Sequence, residues 1–186
     1  GADVLKAKMG WESVVILAED TAFGGAITGL VTDALGPVAG IEVKDIITYD
    51  INTVDFGPIF SKAKATGADF IYQVSSVNPQ VISSQYVKLQ VPMPMTGVNV
   101  AALGMEYWED TGGAGGGIST LSPVPSVGFD LDPVSAQFVA DYQAKYSTRP
   151  SMPHFNGFNA YHGLKQAMAA ASEAGGFKDV KAWNAA

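Results

Sequence analysis

The chain has 186 residues, 47% of them hydrophobic and 16% charged, so it can bury a substantial core and is not a disordered or solvating chain. Eleven Lys and Arg against 18 Asp and Glu leave a net charge of −7, a sign that repels phosphate backbones and argues against nucleic-acid and anionic-membrane partners. There is no Cys, which excludes thiol catalysis, disulfides and Cys-ligated zinc. The longest apolar run falls far short of the ~20 residues of a membrane helix. Gly1 to Lys6 lacks the charged-then-apolar layout of a signal peptide. Asp3 to Met9 reads as the end of a helix, and Ala167 to Ala186 as helical sequence without a closing strand. The chain is therefore expected to be an internal piece of something longer.

Ser13 to Ala18 is a short continuous apolar run, the pattern of a strand covered on both faces. Phe23 to Leu35 carries Ile27, Leu30, Val31 and Leu35 at helical spacing, with Gly36-Pro37 as a stop. Ile41 to Tyr49 alternates and is β-branched, a second strand. Asp55 to Thr66 is a helix ending at Gly67, with Pro58 in its first turn, where a missing N–H costs nothing. Asp69 to Val74 is a third strand, Asn78 to Gln90 a third helix, Met93 to Val98 a fourth strand and Ala101 to Glu109 a short helix. The glycine run 112–117 interrupts the pattern before Ile118 to Leu121. Asp132-Pro133 supplies an N-cap with proline at the first helical position. The helix behind it places Val134, Phe138, Tyr142 and Tyr146 four residues apart, and a last helix runs from His154 to Ala174.

Strands alternating with helices over short connections predict an α/β fold, a three-layer αβα lobe on a mostly parallel sheet. Such sheets bind ligands beyond the carboxyl ends of their strands. The loops of interest are 19–24, 75–79, 98–101 and 122–132. No phosphate-cradling G-x-x-x-x-G-K-[ST] occurs, and the glycine run follows a helix rather than a strand, so it reads as a flexible connector. His154 and His162 stand two helical turns apart, roughly 12 Å, too far to share a metal. There is no G-x-S-x-G elbow and no H-E-x-x-H, so nothing points to an enzyme, and no cofactor is implied. Glu19-Asp20 could hold Mg²⁺ in a receiver-type regulator, but the third strand lacks the closing Asp; the pair reads instead as charge complementing a helix N-terminus. Thr21, Phe23, Ser75, Ser76, Asn78 and Asn99 remain in strand-to-helix loops. Thr21 and Asn78 are natural N-caps. Together the six form the lining expected of a small-molecule cleft, where helix N-termini suit a carboxylate.

Val14-Val15-Ile16-Leu17-Ala18-Glu19-Asp20-Thr21-Ala22-Phe23-Gly24 resembles the strand, turn and helix that open the second lobe of solute-binding proteins of branched-chain amino-acid-type ABC transporters. Gly67-Ala68-Asp69-Phe70-Ile71-Tyr72 is similar to that family's third strand, and Phe138, Tyr142 and Tyr146 followed by Arg149-Pro150-Ser151 to a later helix and its exit. The resemblance implies a type I periplasmic-binding-protein fold of two lobes clamping a ligand. Residues 1–121 would form one lobe; residues 122–186 would form the hinge crossover and helices of the other lobe, whose N-terminal part lies outside this chain. It also implies a periplasmic or extracellular protein made with a signal peptide and partnered by an ABC permease.

Residue by residue, the resemblance makes Phe23 the aromatic that stacks on ligand. Ser76, Val77 and Asn78 fall on a ligand-contacting loop, with Val77 where an aromatic often stands. Val98 and Asn99 match the loop where amino-acid binders place an acid for the ligand's ammonium, and His154 falls near another aromatic contact. A desolvated ammonium without an anionic partner is costly, so either an acid comes from elsewhere or the ligand is not a simple α-amino acid; the expectation is a small carboxylate-bearing ligand, an amino acid or an aromatic or aliphatic acid, with His154 and Asn99 as polar partners. The alternative function is a ligand-sensing domain of a receptor or transcriptional regulator of the same architecture, which flanking sequence would distinguish.

Overall fold

The computed structural model describes residues 2–104, 106–113, 115–122, 130–173 and 175. They fall into two units, residues 1–121 and 122–186. In the first, helix α1 (Ala2–Ala7) precedes strand β1 (Ser13–Glu19), helix α2 (Ala22–Asp33), strand β2 (Glu42–Tyr49), helix α3 (Gly57–Ala65), strand β3 (Phe70–Ser75), helix α4 (Pro79–Lys88), strand β4 (Met95–Asn99) and the short helix α5 (Tyr107–Asp110). The sheet order is β2-β1-β3-β4, and every pair is parallel. The expected α/β class with a parallel sheet is what the chain adopts.

The residues of β1 and β3 are buried along their whole lengths, as a continuous apolar run covered on both faces requires. β2, with only β1 beside it, alternates instead. One face of the sheet packs Val15, Leu17, Ile47, Ile71 and Met95 against Phe60 and Ala63 of α3 and Ile82 and Tyr86 of α4. The other packs Val14, Ile16, Phe70 and Tyr72 against Val31 of α2, with Leu5 of α1 and Trp11 at its margin. Trp11 stacks on Phe70 at 4.6 Å between ring centroids. The chain leaves β1 through α2 on one face and leaves β2 and β3 through helices on the other. The direction of winding therefore reverses between β1 and β3.

Local differences from the sequence reading have local causes. Gly36-Pro37 does not simply stop α2: the helix ends at Asp33 and passes into a π turn, Ala34–Val38, because Pro37 has no N–H to continue the ladder. Residues 101–109 form a 3-10 turn, Ala101–Leu103, and then α5 rather than one helix. Ile118 to Leu121 runs parallel along β4, with the Ser119 and Leu121 amides donating to Met95 and Gly97 carbonyls. The glycines before it are packed as well as turned. Gly112, Gly113 and Gly117 have φ between +60° and +81°, and a Cβ on Gly115 would stand 2.7 Å from the Tyr107 ring.

At the start of β1 and β3, the Asp69 carboxylate accepts the Glu12 and Ser13 amides and the Ser13 hydroxyl at 2.8–2.9 Å. These bonds hold its pKa below the ordinary carboxylate value.

In the second unit, α6 (Pro133–Tyr146) starts at Asp132, whose carboxylate accepts the Val134 and Ser135 amides as the sequence predicts. α7 spans Met152–Glu173. Phe138 stacks on Phe158 at 4.3 Å and meets Phe155 edge-on at 5.3 Å, joining the two helices. Of the 122–132 stretch expected to be a loop, residues 123–129 lie outside those described.

Gly24 and Gly25 make opposite predictions from adjacent positions. A Cβ on Gly24 would stand 1.9 Å from the Glu19 carbonyl oxygen, whereas one on Gly25 would meet nothing within 4 Å. By urea denaturation, Gly24→Ala should cost about 2–3 kcal/mol, and Gly25→Ala should stabilise by about 0.5–1 kcal/mol through helix propensity.

Candidate functional site

A parallel sheet whose winding reverses between two strands opens a crevice beyond their carboxyl ends. Here those ends are Glu19 of β1 and Ser75 of β3. The register carries one row of polar side chains along this edge. Tyr49 pairs with Glu19, Ser75 with Asn99, and Ala18 with Val74 one row below. All four members of the row, Tyr49, Glu19, Ser75 and Asn99, are buried.

Glu19 is the centre of this row. It is 1% exposed, and its carboxylate accepts four hydrogen bonds. The Ser76 and Val77 amides donate at 2.7 and 2.9 Å, the Thr21 hydroxyl at 3.0 Å, and the Ser76 hydroxyl completes the set. Thr21 in turn accepts the Gly24 amide at 2.9 Å, capping α2 as expected. One carboxylate thus ties the start of α2 to the loop between β3 and α4.

Burial alone would raise the Glu19 pKa, but the Ser76, Val77 and Thr21 donors outweigh it and hold the group ionised below its ordinary value. Neighbouring Tyr49 goes the other way: desolvation, helped by the Glu19 charge and opposed by a lowering influence of nearby Ser75, pushes its phenol up to about 12. The reading of Glu19-Asp20 as charge complementing a helix dipole is corrected for Glu19. Its side chain faces the β3–α4 loop, and the first turn of α2 holds no acid.

The candidate residues divide accordingly. Thr21, Phe23, Ser76, Val77 and Asn78 come together around the ends of β1 and β3. Phe23 and Val77 are each 38% exposed, so both loops offer apolar surface, while the Thr21 and Ser76 hydroxyls are spent on Glu19. Asn78 stands at the N-cap of α4, but in the left-handed region at φ 47° and without a side-chain cap bond; the expected capping does not occur. Pro79 at the first helical position has no N–H to be capped. Ser75 is buried, at the Tyr49 phenol.

Asn99 is also buried. Its Nδ2 donates to Ser83 Oγ at 2.9 Å and its Oδ1 accepts the Ala102 amide at 3.1 Å, so the side chain faces inward rather than toward the crevice. Val98 packs half-buried against the α2 face. His154 lies in the second unit, exposed at the start of α7. Its Nδ1 accepts the Ser151 amide at 3.0 Å, which leaves Nε2 as the N–H. Residues the sequence reading missed are Glu19 as an anchor and Tyr49; the signal available was their common position at strand ends, which shows only once the register is known.

No group of three or more His, Asp and Glu side chains able to hold a metal occurs among the described residues. Glu19→Ala should cost about 2–3 kcal/mol, the worth of hydrogen bonds to a charged group. In the parent protein, a carboxylate held below its ordinary 4.5 contributes fully above that pH. Its contribution is lost as the pH falls through the folded-state value. Thermal unfolding followed from pH 7 downward should therefore show a shallower acid-side loss in Glu19→Gln than in the parent.

The comparisons with known proteins agree with this architecture. A family profile described as periplasmic binding protein matches residues 1–186. A Leu/Ile/Val-binding protein homolog from Brucella abortus is 26% identical over 181 residues, covering 88% of this chain and 41% of that protein. Among solved structures, a leucine-binding protein from Thermotoga maritima superposes with a TM-score of 0.81 at 22% identity, covering 98% of this chain and 51% of that one. A solute-binding protein from R. palustris, solved in complex with benzoate, gives 0.71 at 21% identity, covering 98% and 48%. The chain spans about half the length of these relatives. It belongs to the periplasmic binding protein family and carries the type I fold of the solute-binding proteins of branched-chain amino-acid-type ABC transporters.

Proposed function

We propose that the chain is the ligand-gripping part of an extracytoplasmic solute-binding protein that delivers a small carboxylate to an ABC permease. Residues 1–121 act as one lobe, and residues 122–186 belong with the opposite lobe, the rest of which lies outside this chain. Binding and closure, not chemistry, are its mechanism: ligand favours the closed state because only that state contacts both lobes.

The observation that carries the reading is the prearranged edge between β1 and β3. There Phe23 and Val77 offer apolar surface on the loops that also carry Thr21, Ser76 and Asn78, fastened by a single buried carboxylate. Glu19 is saturated by four donors and is not offered to a ligand's ammonium. Asn99 is turned inward. With no unpaired anion among these residues to meet an ammonium, and with the Thr21 and Ser76 hydroxyls spent on Glu19, they offer a ligand apolar surface; its carboxylate is gripped by groups beyond this edge, and a relative solved with benzoate is in keeping with an aromatic acid. Ser75 and Asn99 act by shaping the edge, while Val98 and the Nε2–H of His154 are further contacts on this reading.

A thermal-shift panel on the full-length protein tests it, with leucine, isoleucine and valine, benzoate and aliphatic acids, and the matching amides. A carboxylate at ~100 times its Kd should add ~2.7 kcal/mol, a clear rise in Tm, and its amide should not. Equal responses to acid and amide, or none to any acid, would overturn the proposal. Against the best carboxylate, Phe23→Ala should weaken binding by about 1–3 kcal/mol in calorimetry while leaving the unliganded Tm nearly unchanged.

A further inference from the structure

Ser151 and His154 form a capping pair at the start of α7. The helix begins at Met152, so Ser151 is the residue before its first turn and His154 the third residue within it. In the common pairing at these two positions, a Glu or Gln side chain reaches back to the amide of the residue before the helix. Here an imidazole takes that part. His154 Nδ1 accepts the Ser151 amide at 3.0 Å, and the Ser151 hydroxyl stands 3.0 Å from the same nitrogen. The Ser151 carbonyl accepts the His154 amide at 3.0 Å and closes the turn.

The ring also lies against α6, 4.8 Å between centroids from Tyr142. It lines a groove of about 360 Å³ together with Asp141, Tyr142, Lys145 and Tyr146. Among the described residues these four are the charged and titratable groups that face it from α6, and the first turn of α7 holds no acid.

We infer that His154 makes the start of α7 a pH-sensitive cap, closed while the imidazole is neutral and opened when it takes up a proton. A neutral imidazole with its hydrogen on Nε2 offers a lone pair at Nδ1, whereas the imidazolium carries hydrogens on both nitrogens and offers none. The Ser151 hydroxyl can reverse its role and accept from Nδ1–H. The Ser151 amide cannot, and it loses its acceptor. The positive end of the α7 dipole repels the new charge. The Asp141 carboxylate and the Tyr142 ring attract it, with Lys145 opposing, so the imidazolium is drawn from the helix start toward α6. A Glu at this position would keep its acceptor down to about pH 4; His moves the loss up to the range of about pH 5–8 in which imidazoles titrate. The device is independent of which ligand the protein carries.

Hydrogen exchange in the full-length protein, followed by ¹⁵N NMR and corrected at each pH for the rate of an unprotected amide, reads the bond directly. As His154 is protonated, the Ser151 amide should lose protection about five- to tenfold, the loss of one hydrogen bond, with the midpoint of the His154 ring signals. His154→Gln keeps an acceptor at that position and cannot titrate, so its Ser151 amide should stay protected throughout. Ser151→Ala removes the hydroxyl and keeps the main chain, and the amide at position 151 should still open with His154. Protection of the parent's Ser151 amide that stays constant across the His154 titration would overturn the inference. An equal acid loss in His154→Gln would do the same, as would a pH dependence abolished by Ser151→Ala, which would make the hydroxyl the partner.

Discussion

The edge that faces the crevice depends on one buried negative charge. Leaving a carboxylate 1% exposed is costly unless donors surround it, and Glu19 recruits four, two of them main-chain amides of the β3–α4 loop. Those amides are within reach because β1 and β3 are neighbours, and they are neighbours because the winding reverses between them. The same carboxylate holds Thr21, which caps α2, and the Glu19 carbonyl leaves no room for a side chain on Gly24. Helix start, loop path and glycine are consequences of a single placement.

This placement bears on recognition. A loop already held by its amides loses little conformational freedom when a ligand arrives, so more of the contact free energy is available for affinity. It also constrains the ligand's chemistry. An acid whose lone pairs are taken by two loops serves the protein rather than a bound cation, and the amide of Asn99 is spent on Ser83 and Ala102.

The sequence made visible whatever is decided locally. Continuous apolar runs identify β1 and β3, Pro58 sits in the first turn of α3, and Asp132-Pro133 marks the start of α6, each from a handful of adjacent residues. What escaped depends on register or on distant partners. Glu19 and Asp20 are indistinguishable as a dipeptide. Only the pairing of β1 with β3 turns the first inward onto Ser76 and Val77, while the second stays exposed. Asn78 is an excellent capping residue by type, yet the path from Ser76 takes its backbone into the left-handed region and removes the cap bond. Successive residues of β3 and β4 alternate between two covered faces, and no local pattern says which face of the sheet α4 covers and so where Ser75 and Asn99 point. The candidate site was thus legible as a set of loops but not as a set of directions.

The two units differ in what holds them. In residues 1–121, whole rows of the sheet are closed off on both faces. In the second unit, α6 and α7 are joined through Phe138, Phe155 and Phe158, and only Val139, Phe155 and Ala171 are buried among the described apolar side chains of these helices. Val134, Tyr161, Leu164 and Met168 are all more than half exposed. A helix pair burying so little cannot offset the conformational entropy of ordering its residues. The pair therefore needs further apolar surface to pack against, and the proposed function supplies it as the remainder of the opposite lobe. On that reading the aromatic seam orients α7 and with it His154, whose Nδ1 is held by the Ser151 amide. Each unit by itself uses the same device, main-chain amides that fix a polar side chain: Ser76 and Val77 hold Glu19, and Ser151 holds His154.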